Sequence, residues 1–246
     1  MCVLIYRAPN GETPDLDTLA AAWEANPDGA GFAYTIGGGL VRYSKGFMAW
    51  EDFERAYTAE AIPASAHLII HFRFATHGGK SAGLTHPFPL AQDNVKKLDG
   101  VCLSVCAHNG ILSYPARQGH SDTSSFVLEV LSEHKAYWGT GGNGMQFLLN
   151  TACADNKVIE LTGYGPVFYG EPWKEYGEGL YFSNLSFLVI PSFFPVKHKG
   201  KRAAKKADLE AALTAPIYCY YCGAEIPWDI DDDRCPSCHG EPLLFQ

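Results

Sequence analysis

The stretch GAGFAYTIGGGLVRYSKG (29–46) restricts the fold of this chain more than any other. Two apolar runs, each the length of a strand, flank three successive glycines, so the backbone must turn back as an antiparallel hairpin. A parallel arrangement would need a helical crossover at that place. The rest of the chain follows the same habit. CVLIYRAP (2–9) reads as a buried strand, and AHLIIHFRFATHG (66–78) as a strand ending in a polar loop. GVCLSVCAHNGILSY (100–114) reads as a strand, a turn at HNG and the start of another strand, while NKVIELTGYGPVFYG (156–170) and GLYFSNLSFLVI (179–190) supply more. Helical spacing marks DLDTLAAAWEAN (15–26), which opens on Asp and stops at PDG, and AWEDFERAYTAEAI (49–62). A third helix, HSDTSSFVLEVLSEH (120–134), is capped by Ser121 or Asp122. Strands come in runs and helices in pairs, which predicts an α+β fold with largely antiparallel sheets. GTGGNG (139–144) reads as a flexible turn, since no strand precedes it and no Lys-Ser/Thr pair follows.

Charge divides the chain. Residues 1–195 carry 12 Lys and Arg against 19 Asp and Glu, KHKGKRAAKK (197–206) carries six basic residues and no acid, and 207–246 carries one Arg and eight acids. The basic strip reads as a linker, giving a main domain over 1–195, a linker with a short helix over 196–215 and an appendage over 216–246. A net charge of −8 argues against nucleic-acid affinity over the whole surface. No apolar run reaches the length of a membrane span and no signal-type leader opens the chain, so a soluble, cytoplasmic protein is expected.

Four of the eight cysteines close the chain as CYYC and CPSC. Cys219, Cys222, Cys235 and Cys238 make CxxC-x12-CxxC, in which each pair occupies a tight turn and all four thiolates can converge on one tetrahedral zinc ion. A segment this short buries little core, so the metal would supply much of its folding energy. Four thiolates leave no open coordination position, which makes the zinc structural and the resulting ribbon a docking surface. The acidic WDIDDDR loop favours a protein partner over nucleic acid. His239 is a spare ligand at most.

Cys2 admits two readings. It is a small apolar residue in a terminal strand, or, once Met1 is trimmed, a thiol and a free α-amine on one residue. Asn109-Gly110 reads alone as a hairpin turn, Asp122 as a helix cap, and Arg73 as a cation at the rim of a sheet. His67 and His71 stand four apart, but on a strand that spacing does not gather a metal site, and Cys102 and Cys106 read as packing around one strand.

Taken together, Cys2, HFRFATHG (71–78), AHNGIL (107–112) and HSDTSS (120–125), with NPDGAGFAY (26–34) and THPF (85–88), resemble the glutaminase domain of class II glutamine amidotransferases, a branch of the N-terminal-nucleophile hydrolases. The resemblance spans roughly residues 2–190. It implies a four-layer αββα sandwich, Cys2 as nucleophile with its own α-amine as base, and Asn109 with Gly110 as the oxyanion site. Arg73 would grip the α-carboxylate of free glutamine, Asp122 its α-ammonium, with Thr76, His77 and His86 beside them. Asn184 would face the site. No organic cofactor is implied. The family passes ammonia to a synthase, and because only a linker and a ribbon follow here, a partner synthase is expected to receive it. Hydrolysis of a γ-glutamyl or other amide, and a silent scaffold docking through its ribbon, are the alternatives.

Overall fold

The computed structural model describes residues 2–75, 79–90, 95–132, 153, 155–170 and 172–188, and the backbone of 217–218 and 225–226. The chain divides into two compact units, one of Met1–Lys135 with Phe147–Leu188 and one of Ala136–Gln146 with Val189–Gln246.

In the first unit a seven-stranded sheet takes the order β10-β11-β1-β4-β2-β3-β6. Its strands are β1 (Val3–Arg7), β2 (Ala30–Gly37), β3 (Leu40–Phe47), β4 (Leu68–Phe72), β6 (Asp99–Cys102), β10 (Lys174–Gly177) and β11 (Leu180–Phe182). A second sheet takes the order β5-β7-β8-β9, with β5 (Phe88–Pro89), β7 (Ser104–Asn109), β8 (Lys157–Thr162) and β9 (Gly165–Gly170). All the pairings in both sheets are antiparallel. The fold is therefore mixed α and β with mostly antiparallel sheets and few helices. The β2–β3 turn is built on Gly37, Gly38 and Gly39, all with positive φ, a conformation that costs glycine least.

Two helices cover one face of the large sheet. In α1 (Leu16–Ala25), Asp15 caps the start by accepting the Thr18 N–H at 2.6 Å, and Leu19 and Ala22 are buried. In α2 (Trp50–Ala59), Phe53 and Tyr57, one helical turn apart, are buried, and no side chain caps the start. Alternation along the strands sends Val3, Ile5, Phe32, Leu68, Ile70 and Phe72 into this layer. The opposite residues, Leu4, Tyr6, Ala33, Val41 and Ile69, pack against Val105, Ala107, Ile159 and Leu161 of the small sheet. A short helix, α3 (Asp122–Phe126), runs on into a π-helical stretch, Val127–Leu131.

Two expectations need correction. The strand expected through residues 101–108 is two strands in different sheets, with the chain crossing between them at Leu103, so Cys102 ends β6 half-buried while Cys106 lies in the core. No strand begins at Ile111 after Asn109-Gly110, so that pair ends β7 instead of turning a hairpin.

In the second unit β12 (Ile217–Tyr218) pairs antiparallel with β13 (Glu225–Ile226). The cysteines at 219, 222, 235 and 238, and the expected boundary at 195, lie outside the described residues.

Candidate active site

Strand register assembles the site. Val3 pairs with Phe72, so Cys2 and Arg73 are the next residues beyond the same end of two neighbouring strands. The Cys2 sulfur there accepts the Phe74 N–H at 3.3 Å and reaches the Phe74 carbonyl at 3.6 Å. Asn184 donates to the Cys2 carbonyl at 2.8 Å, which puts it against Cys2. A small pocket, open to solvent, is lined by Cys2, Arg73, Phe74, Ala75, His86, His108, Gly110, Ser121, Asp122 and Thr123.

Five of the residues expected from the sequence thus meet: Cys2, Arg73, His86, Gly110 and Asp122. Thr76 and His77 lie outside the described residues. Asn109 is buried at the end of β7, and its amide donates to Ser183 Oγ at 2.8 Å; it is not among the residues lining the pocket. Gly110 has φ +146, and a Cβ there would stand 1.9 Å from Asn156 Oδ1, so no other residue fits without displacing its neighbours.

Ser121, not Asp122, is the cap of α3, in a reciprocal pair with Ser124. Asp122 is the first helical residue, and its carboxylate accepts the Leu112 N–H at 3.0 Å and the Thr123 N–H at 2.8 Å. Arg73 is 4 % exposed, and its Nη1 donates to the Gly79 carbonyl at 2.8 Å. Burial lowers the pKa of the guanidinium, and the nearby Cys2, Asp28 and Asp122 oppose that shift. Burial pushes the Cys2 thiol up, against the Phe74 backbone hydrogen bond and the Arg73 charge.

Three buried imidazoles gather here, His86 and His108 lining the pocket and His71 beside them. His71 and His86 have ring centres 4.2 Å apart, and His71 Nε2 donates to the His108 carbonyl at 3.2 Å. His108 joins Thr123 Oγ1 at 2.8 Å and Asn156 Oδ1 at 2.7 Å. Burial drives all three down, His71 to about 3, and keeps them neutral. His67 is engaged elsewhere, 2.8 Å from the Tyr6 hydroxyl. Among the described residues no group of three or more His, Cys, Asp or Glu is arranged to hold a metal ion.

Sequence reasoning missed Phe74, His108, Thr123, Ser183 and Asp28. Phe74 and Thr123 act through backbone or hydroxyl groups that any strand end or helix start carries. Asp28 had a signal, an acid directly before Gly-Ala-Gly, but it read as the stop of α1. No protein-family model matches the chain, and no curated protein matches its sequence.

Proposed function

We propose that this chain hydrolyses free glutamine to glutamate and ammonia as a class II amidotransferase component. The observation that carries the reading is the pocket itself: a thiol, a guanidinium, an imidazole, a carboxylate and a glycine, drawn from five separate stretches, line one cavity. Amide hydrolysis asks for such a set. The Cys2 sulfur attacks the carboxamide carbon and its proton passes to the α-amine exposed by removal of Met1. An α-amine has a pKa of roughly 7.7–8.0, suited to that transfer near neutral pH. The oxyanion takes the Gly110 N–H at the pocket, and Asn109, whose amide donates to Ser183 in the resting site, must turn its second N–H toward the pocket to share it. The amine returns its proton to departing ammonia, and water then splits the thioester to release glutamate and restore the thiol. Arg73 and Asp122 facing one pocket suit the zwitterionic head group of a free amino acid over a peptide-bound amide.

The four-layer αββα arrangement is part of the same reading, supported by α1 and α2 on one sheet and by the α3 residue Thr123 bonded to His108 of the other. For the appendage we propose a structural zinc ribbon that docks the synthase receiving the ammonia. In the sequence the first CxxC falls between β12 and β13, which pair antiparallel, and four thiolates suit zinc. One zinc per chain by elemental analysis is expected. The functional test is ammonia release from glutamine by the chain with its native start: turnover is expected, with loss in Cys2→Ala at unchanged fold. Turnover retained in that variant, or faster turnover of γ-glutamyl amides than of glutamine, refutes the assignment.

A further inference from the structure

His108 and Thr123 of the pocket wall belong to a chain of hydrogen bonds whose direction is fixed from its buried end. Asn156, the residue before β8, brings Oδ1 to 2.7 Å from His108 Nε2, and Thr123 Oγ1 lies 2.8 Å from His108 Nδ1. A carboxamide oxygen carries no hydrogen, so Nε2 donates to it. Burial keeps the ring neutral, with a single N–H, so Nδ1 is bare and accepts. The Thr123 hydroxyl therefore gives its one hydrogen to Nδ1.

That direction has a consequence at the pocket, which Asp122 and Thr123 both line. Thr123 Oγ1 lies 3.4 Å from Asp122 Oδ1, and with its hydrogen spent on His108 it has none to place between the two oxygens. Asp122 Oδ1 accepts the Thr123 N–H at 2.8 Å, and a carboxylate oxygen has room for a second donor. Two acceptors thus stand side by side. A ligand hydroxyl has one hydrogen and serves only one of them, whereas an ammonium has three and serves both. His86, 5 % exposed, lines the same pocket with neither ring nitrogen hydrogen-bonded among the described residues, as a wall completed by a polar ligand would be.

We infer that Thr123 is a specificity residue for the amino end of the ligand: its hydroxyl, fixed as an acceptor by Asn156 through His108, shares a primary ammonium with the Asp122 carboxylate. This rests on the reading of the pocket as a glutamine site. The carboxylate supplies charge and the hydroxyl supplies direction, while His108 and Asn156 act as positioning residues that set the polarity of the hydroxyl.

Two measurements test the inference. Long-range proton–nitrogen NMR correlation of the parent chain reads the His108 tautomer without any variant. The hydrogen is expected on Nε2, and a hydrogen on Nδ1 overturns the proposal. Calorimetric titration then compares L-glutamate with glutarate, which lacks only the ammonium. Thr123→Val is expected to weaken glutamate binding about tenfold, the share of a hydrogen bond to a charged group, and glutarate binding less than about twofold. Thr123→Ser, which keeps the hydroxyl, should hold glutamate within about twofold of the parent. An equal loss for both ligands in Thr123→Val, no loss for glutamate, or a loss in Thr123→Ser as large as in Thr123→Val overturns the proposal. A parent chain with no preference for glutamate over glutarate refutes instead the glutamine reading beneath it.

Discussion

The two faces of the seven-stranded sheet are built from the same strands and made for different ends. Against α1 and α2 the sheet presents interlocking aromatic rings: Phe53 meets Phe72 edge-on at 5.1 Å, Phe32 edge-on at 6.2 Å and Tyr57 stacked at 5.6 Å. Against the small sheet, aliphatic packing gives way near Cys2 to Lys45, His71, His86, His108 and Asn109, all buried. Lys45 donates to the carbonyls of Gly83, Thr85 and Val95. Burial lowers its pKa, yet three acceptors match the three hydrogens of an ammonium and not the two of an amine, so the geometry is that of the charged form. His71 Nδ1, both His86 nitrogens and Asn109 Oδ1 are buried with no hydrogen-bond partner among the described residues. Each such atom costs roughly 1–3 kcal/mol. One face supplies stability, and the other gives some of it up to hold polar groups dry beside the pocket.

The hardest blow to that contrast comes from the apolar side. Phe53→Ala should cost about 3–5 kcal/mol in urea unfolding, since a fully buried ring leaves a cavity behind. The pH midpoint for alkylation of Cys2 by iodoacetamide should be the same in the folded variant as in the parent; a shift of about half a pH unit or more would mean that the faces are not independent. On the polar side, Asn109→Ala should lower glutamine turnover about a hundredfold if its amide meets the oxyanion, with a much smaller effect on unfolding. Unchanged turnover would leave Asn109 as a tie between β7 and Ser183.

The apolar face was far more legible in the sequence than the polar one. Helical spacing in 15–26 and 49–62, alternation in the strands and the triple glycine follow from local periodicity, and each produced the element it implies. The crossing at Leu103 has no local signal, because VCLSVC looks like one strand until two sheets compete for its halves. The meeting of Cys2, Arg73, Gly110 and Asp122 in one pocket depends on the β1–β4 register and on the β7 and α3 ends, which only long-range pairing decides. Asp122 shows the limit well: the sequence allowed it or Ser121 as cap, and the choice of Ser121 leaves the carboxylate at the pocket.

Acid separates the faces further. His71, His86 and His108 are held neutral with pKa values below the ordinary histidine value of 6.5. Above that value neither folded nor unfolded chain protonates them, and stability is unaffected. Below it the unfolded chain binds protons that the folded one refuses, so stability falls by about 1.4 kcal/mol per pH unit for each imidazole. For His71 the loss continues toward its folded pKa of about 3. His71→Gln, whose amide can still donate to the His108 carbonyl, should make the slope of the urea midpoint against pH shallower by one group's share between pH 6 and 4.5. An unaltered slope would show that His71 does not titrate in this window.

The smallest effect tests the same contrast from the helix side, where the titrating group is a cap. Asp15 holds the start of α1 through the Thr18 N–H, and that hydrogen bond lowers its pKa below the ordinary 3.8. A depressed carboxylate contributes stability that is complete above the unfolded value and lost as pH falls through the folded one. Asp15→Ala should therefore cost about 1 kcal/mol at pH 7, as loss of an N-cap does, and the cost should shrink only below pH 3.8. Over the range from 6.5 to 4.5, where the imidazoles erode the polar face, the difference between Asp15→Ala and the parent should stay flat. A difference that narrows already at pH 5.5 would mean that the cap senses the buried imidazoles through the sheet, and the two faces would have to be treated as one coupled core.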